Sequence, residues 1–242
     1  MSARLQDAEP LLAAGETEGP AGRPAESESG PEPLQTAAAL QALLQARQTT
    51  LPRRLGAPGP DAQQLAAIVG AAAHAPDHGR LQPWRFVRVP ADARDALADA
   101  FAQALQEREP AAEPEALAQA REKAYRSPEL LLVVVDAAQA DAAVPAPERW
   151  VSAGCAVQNL LLMATALGFG SALTSGQSLQ SRALRTLFGL HAAEQALCFV
   201  SLGTVVAAKA RRARPAVDAY TSTLRPQGAP VPGLHLPSAE AP

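Results

Sequence analysis

Ala73-His74-Ala75-Pro76-Asp77-His78-Gly79-Arg80-Leu81-Gln82-Pro83-Trp84-Arg85-Phe86 is the stretch where a helical pattern gives way to the first good strand. Upstream, Asp61 is an N-cap candidate, and Leu65, Ile68, Val69 and Ala72 follow at helical spacing. Pro76 ends that helix, because the residue before a proline is pushed out of the helical region. From Trp84 onward, apolar and basic residues alternate, which is the period of a strand. Between the two lie two imidazoles, a carboxylate, an arginine, an amide and an indole, on a path fixed by two prolines and a glycine. A polar loop held at both ends by regular structure is a usual place for a binding site.

Working outward, residues 34–47 carry a helical apolar face of Leu34, Leu40, Leu43 and Leu44, and a turn-rich connector fills 53–60. Past the loop, residues 91–107 read as an amphipathic helix with Leu97, Phe101 and Leu105 inward. Residues 115–126 form a more polar helix. Leu130-Leu131-Leu132-Val133-Val134-Val135 has strand length and no polar face, so it predicts a central strand covered on both sides. An Ala/Pro-rich loop occupies 137–147. The next helix runs over 155–167, with Ser152 as the cap candidate and Gly168 at the C′ position. It is apolar on nearly every side, which implies burial on every side, most simply by a second subunit. A short strand over 169–173, a helix over 179–188 and a strand over 197–206 complete the pattern. Strands and helices mix without the strict alternation of a doubly wound fold, so the class is α+β. The domain occupies 35–210. Residues 1–34 are acidic and rich in Pro and Gly, with disorder expected, and 211–242 read as an extended, partly disordered tail.

The bulk properties narrow the function. The chain has 242 residues, 48% of them hydrophobic, and a net charge of −3, which gives no electrostatic case for nucleic acid or an anionic membrane surface. No apolar run reaches the ~20 residues that span a bilayer. Two cysteines, Cys155 and Cys198, make neither a disulfide framework nor a zinc cluster, and they fit a reducing cytoplasm.

Several motifs carry alternatives. His74 and His78 are four apart, as zinc ligands on a helix would be, but Pro76 lies between them. They are readable as backbone-bonded loop histidines, as ligand contacts, or, with Asp77, as the site of a metal-dependent hydrolase. Arg47 and Thr49 follow the first helix. A lone Arg there complements the helix dipole, whereas a guanidinium beside a hydroxyl suits a phosphate. Gly168-Phe169-Gly170 follows a helix and enters a strand, the reverse of a dinucleotide fingerprint. Ser152, Ser175 and Ser201 lack a nucleophile elbow. Trp84 reads as a packing residue.

The segments His74-Ala-Pro-Asp-His78-Gly-Arg-Leu-Gln-Pro-Trp84, Arg149-Trp150…Ser152-Ala-Gly-Cys155, Gly168-Phe169-Gly170…Ser175-Gly176 and Leu202-Gly203-Thr204 occur in order. Together they resemble the nitroreductase family, and most of all its small group of NAD(P)H nitroreductases. The resemblance runs from about residue 40 to 209. It implies a central mixed or antiparallel sheet flanked by helices, built as an interlocked homodimer with FMN between subunits. It also implies hydride transfer from NAD(P)H to a nitroaromatic, quinone or similar small acceptor in a ping-pong cycle. A family Arg-Arg-Ser contact to FMN falls on Arg47, Gln48 and Thr49. Two more contacts fall on His74, which replaces an Arg, and on His78. A Trp-Arg-Ser contact falls on Leu173, Thr174 and Ser175. Lys209 is the candidate basic residue near the end of the domain, and residues 163–168 match a region that binds nicotinamide. No side chain is required as a catalytic nucleophile, because the flavin carries the chemistry. The departures at Gln48, His74 and Leu173 leave room for a non-catalytic flavin-binding protein.

Overall fold

The computed structural model describes residues 33–137, 144–210, 212–226 and 228–235. The expectation of disorder over 1–34 falls almost wholly outside those residues, as does the middle of the loop at 137–147 and the end of the C-terminal tail.

The elements are α1 (Pro33–Ala46), β1 (Leu55–Gly56), α2 (Ala62–Gly70), β2 (Trp84–Arg88), α3 (Arg94–Arg108), α4 (Pro114–Glu122), β3 (Glu129–Asp136), α5 (Ala146–Ala166), β4 (Gly170–Thr174), α6 (Arg182–Leu187) and β5 (Glu194–Val205). A two-stranded ribbon, β6 (Ser222–Thr223) with β7 (Val231–Pro232), follows, where the sequence predicts only extended chain. The fold is α+β. Every pair in the five-stranded sheet is antiparallel, in the order β1-β5-β3-β2 with β4 also on β5.

β3 is central, as its composition demands: Leu130 through Val135 are each 5% exposed or less. Its even-numbered residues Leu130, Leu132 and Val134 join Leu97 and Phe101 of α3, Leu184 of α6 and Phe199 of β5 on one face. Its odd-numbered Leu131 and Val133 join Ile68 of α2 and Val157, Leu160 and Leu161 of α5 on the other. A bulge between Val133 and Val134 skips Leu197 of β5 and resets the alternation of that strand.

α2 starts where Asp61 predicts. The Asp61 carboxylate accepts from the Gln64 backbone N–H at 2.8 Å, and the Gln64 side chain accepts from the Asp61 N–H at 3.0 Å, a complete capping box. α5 ends where Gly168 predicts: the Phe169 N–H donates to Ala164 at 2.8 Å and the Gly168 N–H to Thr165 at 3.0 Å, with Gly168 at φ +85°.

The start of α5 differs from the sequence reading. It begins at Ala146 after Pro145, so Ser152 lies inside the helix rather than at its cap. There its hydroxyl accepts from the Trp84 indole N–H at 3.1 Å. Within one chain α5 is covered on one face only: Arg149, Ser152, Ala153, Ala156, Val157, Leu160, Leu161 and Ala164 are buried, while Val151 is 63% exposed and Leu162 and Met163 are partly exposed. No described helix is long and apolar enough to cross a membrane.

Candidate functional site

The end of α1 builds the first part of the site. The Arg47 N–H still bonds to Leu43 at 3.0 Å, and then the chain leaves the helix and hooks onto β4. The Thr50 N–H donates to Ser171 at 2.8 Å, and Thr49 and Ser171 form the one parallel bridge among the described residues. Gly170 permits the approach. A Cβ there would lie 2.6 Å from Val205 Cγ2 and 3.3 Å from Thr50 Cβ. Arg47, Gln48 and Thr49 thereby line a cleft of about 670 Å³ together with Arg54, Lys209, Arg212 and Arg214. Among the described residues, five cations face this space and no carboxylate lines it. Burial, and then Arg214, push the Arg47 guanidinium below its ordinary range. A set of unneutralised cations of this kind is chemically suited to a phosphate.

β4 carries the second part. Its alternation sends Ala172 and Thr174, opposite Ser201 and Phe199, to the α3–α4 side. Leu173 points to the other side and is 45% exposed. Thr174, Ser175 and Gly176 form one wall of a second cleft, of about 710 Å³. Leu51 lines both clefts, so Arg47, Gln48 and Thr49 are contiguous with the end of β4.

His74 and His78 are elsewhere. His74 closes the single turn Ala71–His74 and is exposed. His78 Nδ1 lies 2.6 Å from Glu148 Oε2, near the first turn of α5. β4 instead follows the far end of α5, where Phe169 is tied to Ala164. Glu148 and Ala164 are roughly 24 Å apart along the helix at its standard rise. One chain therefore does not bring the two histidines to Arg47, Gln48 and Thr49. Nor does it gather His74, Asp77 and His78 into a metal centre: among the described residues no group of three His, Cys, Asp or Glu side chains is placed to hold a metal ion.

The loop bearing the histidines is strained. Arg80 and Gln82 are non-glycine residues at φ +54° and +45°. The Asp77 carboxylate holds the turn by accepting from the Gln82 N–H at 2.7 Å. Trp84 is 9% exposed and packs among Ala72, Ala153 and Ala156. Both cysteines are free, and burial pushes the Cys198 thiol up to about 11, which makes it inert.

Sequence reasoning missed Arg54, Arg212 and Arg214 in the cationic cleft, although the basic character after residue 207 was visible. It also missed Glu148, which stands one residue before the Arg149-Trp150 pair.

The nitroreductase family model matches residues 44–204. The "Putative NAD(P)H nitroreductase" of Haemophilus influenzae is 36% identical over 152 residues, 63% of this chain and 82% of that one. A protein of the same description from Escherichia coli K12, YdjA, is 34% identical over 168 residues, 69% of this chain and 87% of that one. Among solved structures, the nitroreductase-like family protein from Bacillus cereus superposes with a TM-score of 0.65 at 18% identity, over 76% of this chain and 95% of that one. The FMN-dependent nitroreductase NfnB from Mycobacterium smegmatis, in complex with NADPH, superposes with a TM-score of 0.62 at 19% identity, over 78% of this chain and all of that one. The fold, the ordered motifs and the matched span agree, and the chain belongs to the nitroreductase family of oxidoreductases.

Proposed function

We propose that this oxidoreductase uses FMN and passes a hydride from NAD(P)H to a nitroaromatic, quinone or similar small acceptor in a ping-pong cycle. The observation that carries the reading is the cleft in which Arg47, Lys209 and Arg214 converge beside Thr49, with no carboxylate among its described lining residues. It is a phosphate site in its chemistry, and the residues present fit the cofactor. Relatives support the choice of group: NfnB is FMN-dependent and was solved with NADPH, and a Bacteroides fragilis nitroreductase, similar at a TM-score of 0.54 and 23% identity, was solved with bound FMN.

Bound FMN supplies the two-electron chemistry. In this reading the chain's own residues bind and orient. Arg47, Lys209 and Arg214 balance the phosphate charge, and Thr49 adds a hydroxyl. The Gln48 amide sits where the family has a second cation, and Arg212 and Arg214 replace that charge from the other end of the domain. Thr174 and Ser175 offer hydroxyls and backbone N–H groups to the polar edge of the ring, where negative charge grows on reduction. The histidines stand far from this half within one chain. We propose that His74 and His78 of the partner subunit complete the pocket in a homodimer, packed over the open face of α5. The protein acts in the cytoplasm on small molecules, without nucleic acid or membrane.

The test is the absorbance spectrum of the purified protein, before and after addition of FMN, followed by NAD(P)H oxidation with a quinone. A yellow protein with acceptor-dependent turnover and parallel-line kinetics is expected. A colourless protein that takes up no FMN overturns the reading. Tight FMN binding without turnover assigns it to a non-catalytic flavin-binding role.

A further inference from the structure

The 710 Å³ cleft on the α3–α4 side is built differently from the phosphate cleft beside it. Its floor is apolar, formed by Phe101 and Leu105 of α3, Leu130 of β3 and Phe199 of β5. Four cations stand at its rim: Arg53, Arg108, Lys123 and Arg126. Among the described residues no Asp or Glu lines it, although the chain as a whole is acidic. Arg108 and Arg126 each have a carboxylate neighbour outside the cleft, Glu109 and Glu122. Arg53 and Lys123 make no ion pair with any described residue. Cations of one sign around low-dielectric walls focus their field into the space between them.

A second observation lies on the floor. Ser201 is 2% exposed, faces the cleft, and its hydroxyl makes no hydrogen bond to any described residue. The hydroxyl is not among the fully buried unpartnered atoms, so it keeps open surface, and the space beside it is the cavity.

We infer that this cleft is a binding site for a small organic carboxylate with an apolar body. The body lies on Phe101, Leu105 and Phe199. The carboxylate accepts from Arg53 and Lys123, and the Ser201 hydroxyl donates to a polar substituent at the inner end. Thr174 and Ser175, the residues assigned above to the flavin edge, line this cleft, and Leu51 lines both it and the cationic cleft. That this anion is the acceptor rests on the FMN reading, but that it binds does not.

The experiment is calorimetric titration of the purified full chain with 4-nitrobenzoate and with its uncharged counterpart 4-nitrobenzamide. It compares wild type with Arg53→Glu/Lys123→Glu and with Ser201→Ala, and FMN content is measured in parallel. Both reversed side chains are exposed, so folding does not depend on them. Wild type is expected to bind the carboxylate at least tenfold more tightly than the amide. The double charge reversal should bring that ratio to within twofold while leaving FMN content and amide binding unchanged. Ser201→Ala should weaken both probes by several-fold. Equal binding of the two probes, no binding of either, or a preference that survives the charge reversal overturns the proposal. A preference abolished by Arg47→Ala instead places the anion in the neighbouring cleft and also overturns it. A colourless protein that keeps the charge-dependent preference refutes the FMN reading and leaves this one standing.

Discussion

Arg47→Ala separates a ligand-binding arginine from a structural one. In the folded chain Arg47 is half-buried and faces Arg214, whose side chain reaches over to donate to the Arg47 carbonyl at 3.4 Å. Its guanidinium is pushed below the ordinary range, by burial first and by Arg214 second. A cation shifted in that direction is less comfortable in the fold than in the unfolded chain, and arginine stays charged at every accessible pH. Removing it from the ligand-free protein should therefore leave stability unchanged or raise it. With FMN bound the sign reverses. A hydrogen bond to a charged group is worth about 1.5–3 kcal/mol, and each 1.4 kcal/mol is tenfold in affinity. The variant should bind FMN about 10- to 150-fold more weakly, with a shallower dependence on salt, since one of the five cations in the cleft is gone. Arg47→Lys should fall between, because it keeps the charge and loses the planar fork. The assays are quenching of flavin fluorescence on titration and urea unfolding of the flavin-free protein. An FMN affinity within twofold of wild type, or a flavin-free variant clearly less stable than wild type, refutes the reasoning.

Other perturbations test the scaffold. Ser152→Ala leaves the buried Trp84 indole N–H without its acceptor and should cost about 1–3 kcal/mol in urea unfolding. Gly168→Ala forces a side chain to φ +85° at the end of α5 and should cost about 1–2 kcal/mol in the same assay. Arg85 bonds Glu194 at 2.6 and 3.0 Å and holds its carboxyl below the usual range, with the His191 N–H helping. The lowered value means that this pair stabilises the fold above the unfolded carboxyl pKa of about 4.3 and that the stabilisation is lost as pH falls through the native value. Glu194→Gln should therefore be less stable than wild type at pH 7 and should lose less on acidification. Unfolding curves measured between pH 7 and pH 3 check both signs, and parallel pH dependences would count against the assignment.

The parts of the fold readable in the sequence are those that local physics decides. Six consecutive branched aliphatics, of strand length, read as a strand buried on both sides, and β3 is one. Asp61 and Gly168 mark helix ends because orphan backbone groups need partners there. The start of α5 was hidden for a specific reason. Arg149 looks like a loop residue, yet it is 2% exposed, and its Nε donates to the Val144 carbonyl at 3.1 Å. Counted with it, the buried face reads 149, 152–153, 156–157, 160–161 and 164, an unbroken helical period. Pro147 and Glu148 in the first turn were the available signal. β5 likewise starts at Glu194, three residues before the apolar alternation, because pairing with Asp136 and the Arg85 ion pair carry the strand there.

The cationic cleft was only half legible, and the reason is distance along the chain. Arg47 and Thr49 announce themselves as a pair after a helix. Arg212 and Arg214 lie more than 160 residues later in a stretch without period, and nothing local says where it returns. The meeting is arranged by backbone pairing, with Thr50 on Ser171, β4 on β5 and the Val206 N–H donating to the Arg54 carbonyl at 3.0 Å, and by the Arg214 side chain, which donates to the Arg47 carbonyl at 3.4 Å. α5 likewise depends on chain that lies far from it in sequence or in a second copy. Its sequence asks for cover on every side, and one chain supplies cover on one. The open face, with Val151 at its N-terminal end and Leu162 further along, runs between the two ends where the cationic cleft and the histidine loop stand apart. A second copy laid along that face would satisfy the composition of the helix and close the distance between the half-sites at once. The burial pattern of α5 and the proposed dimeric pocket thus stand on one requirement, and a chain that stays monomeric in light scattering with FMN bound would break both together.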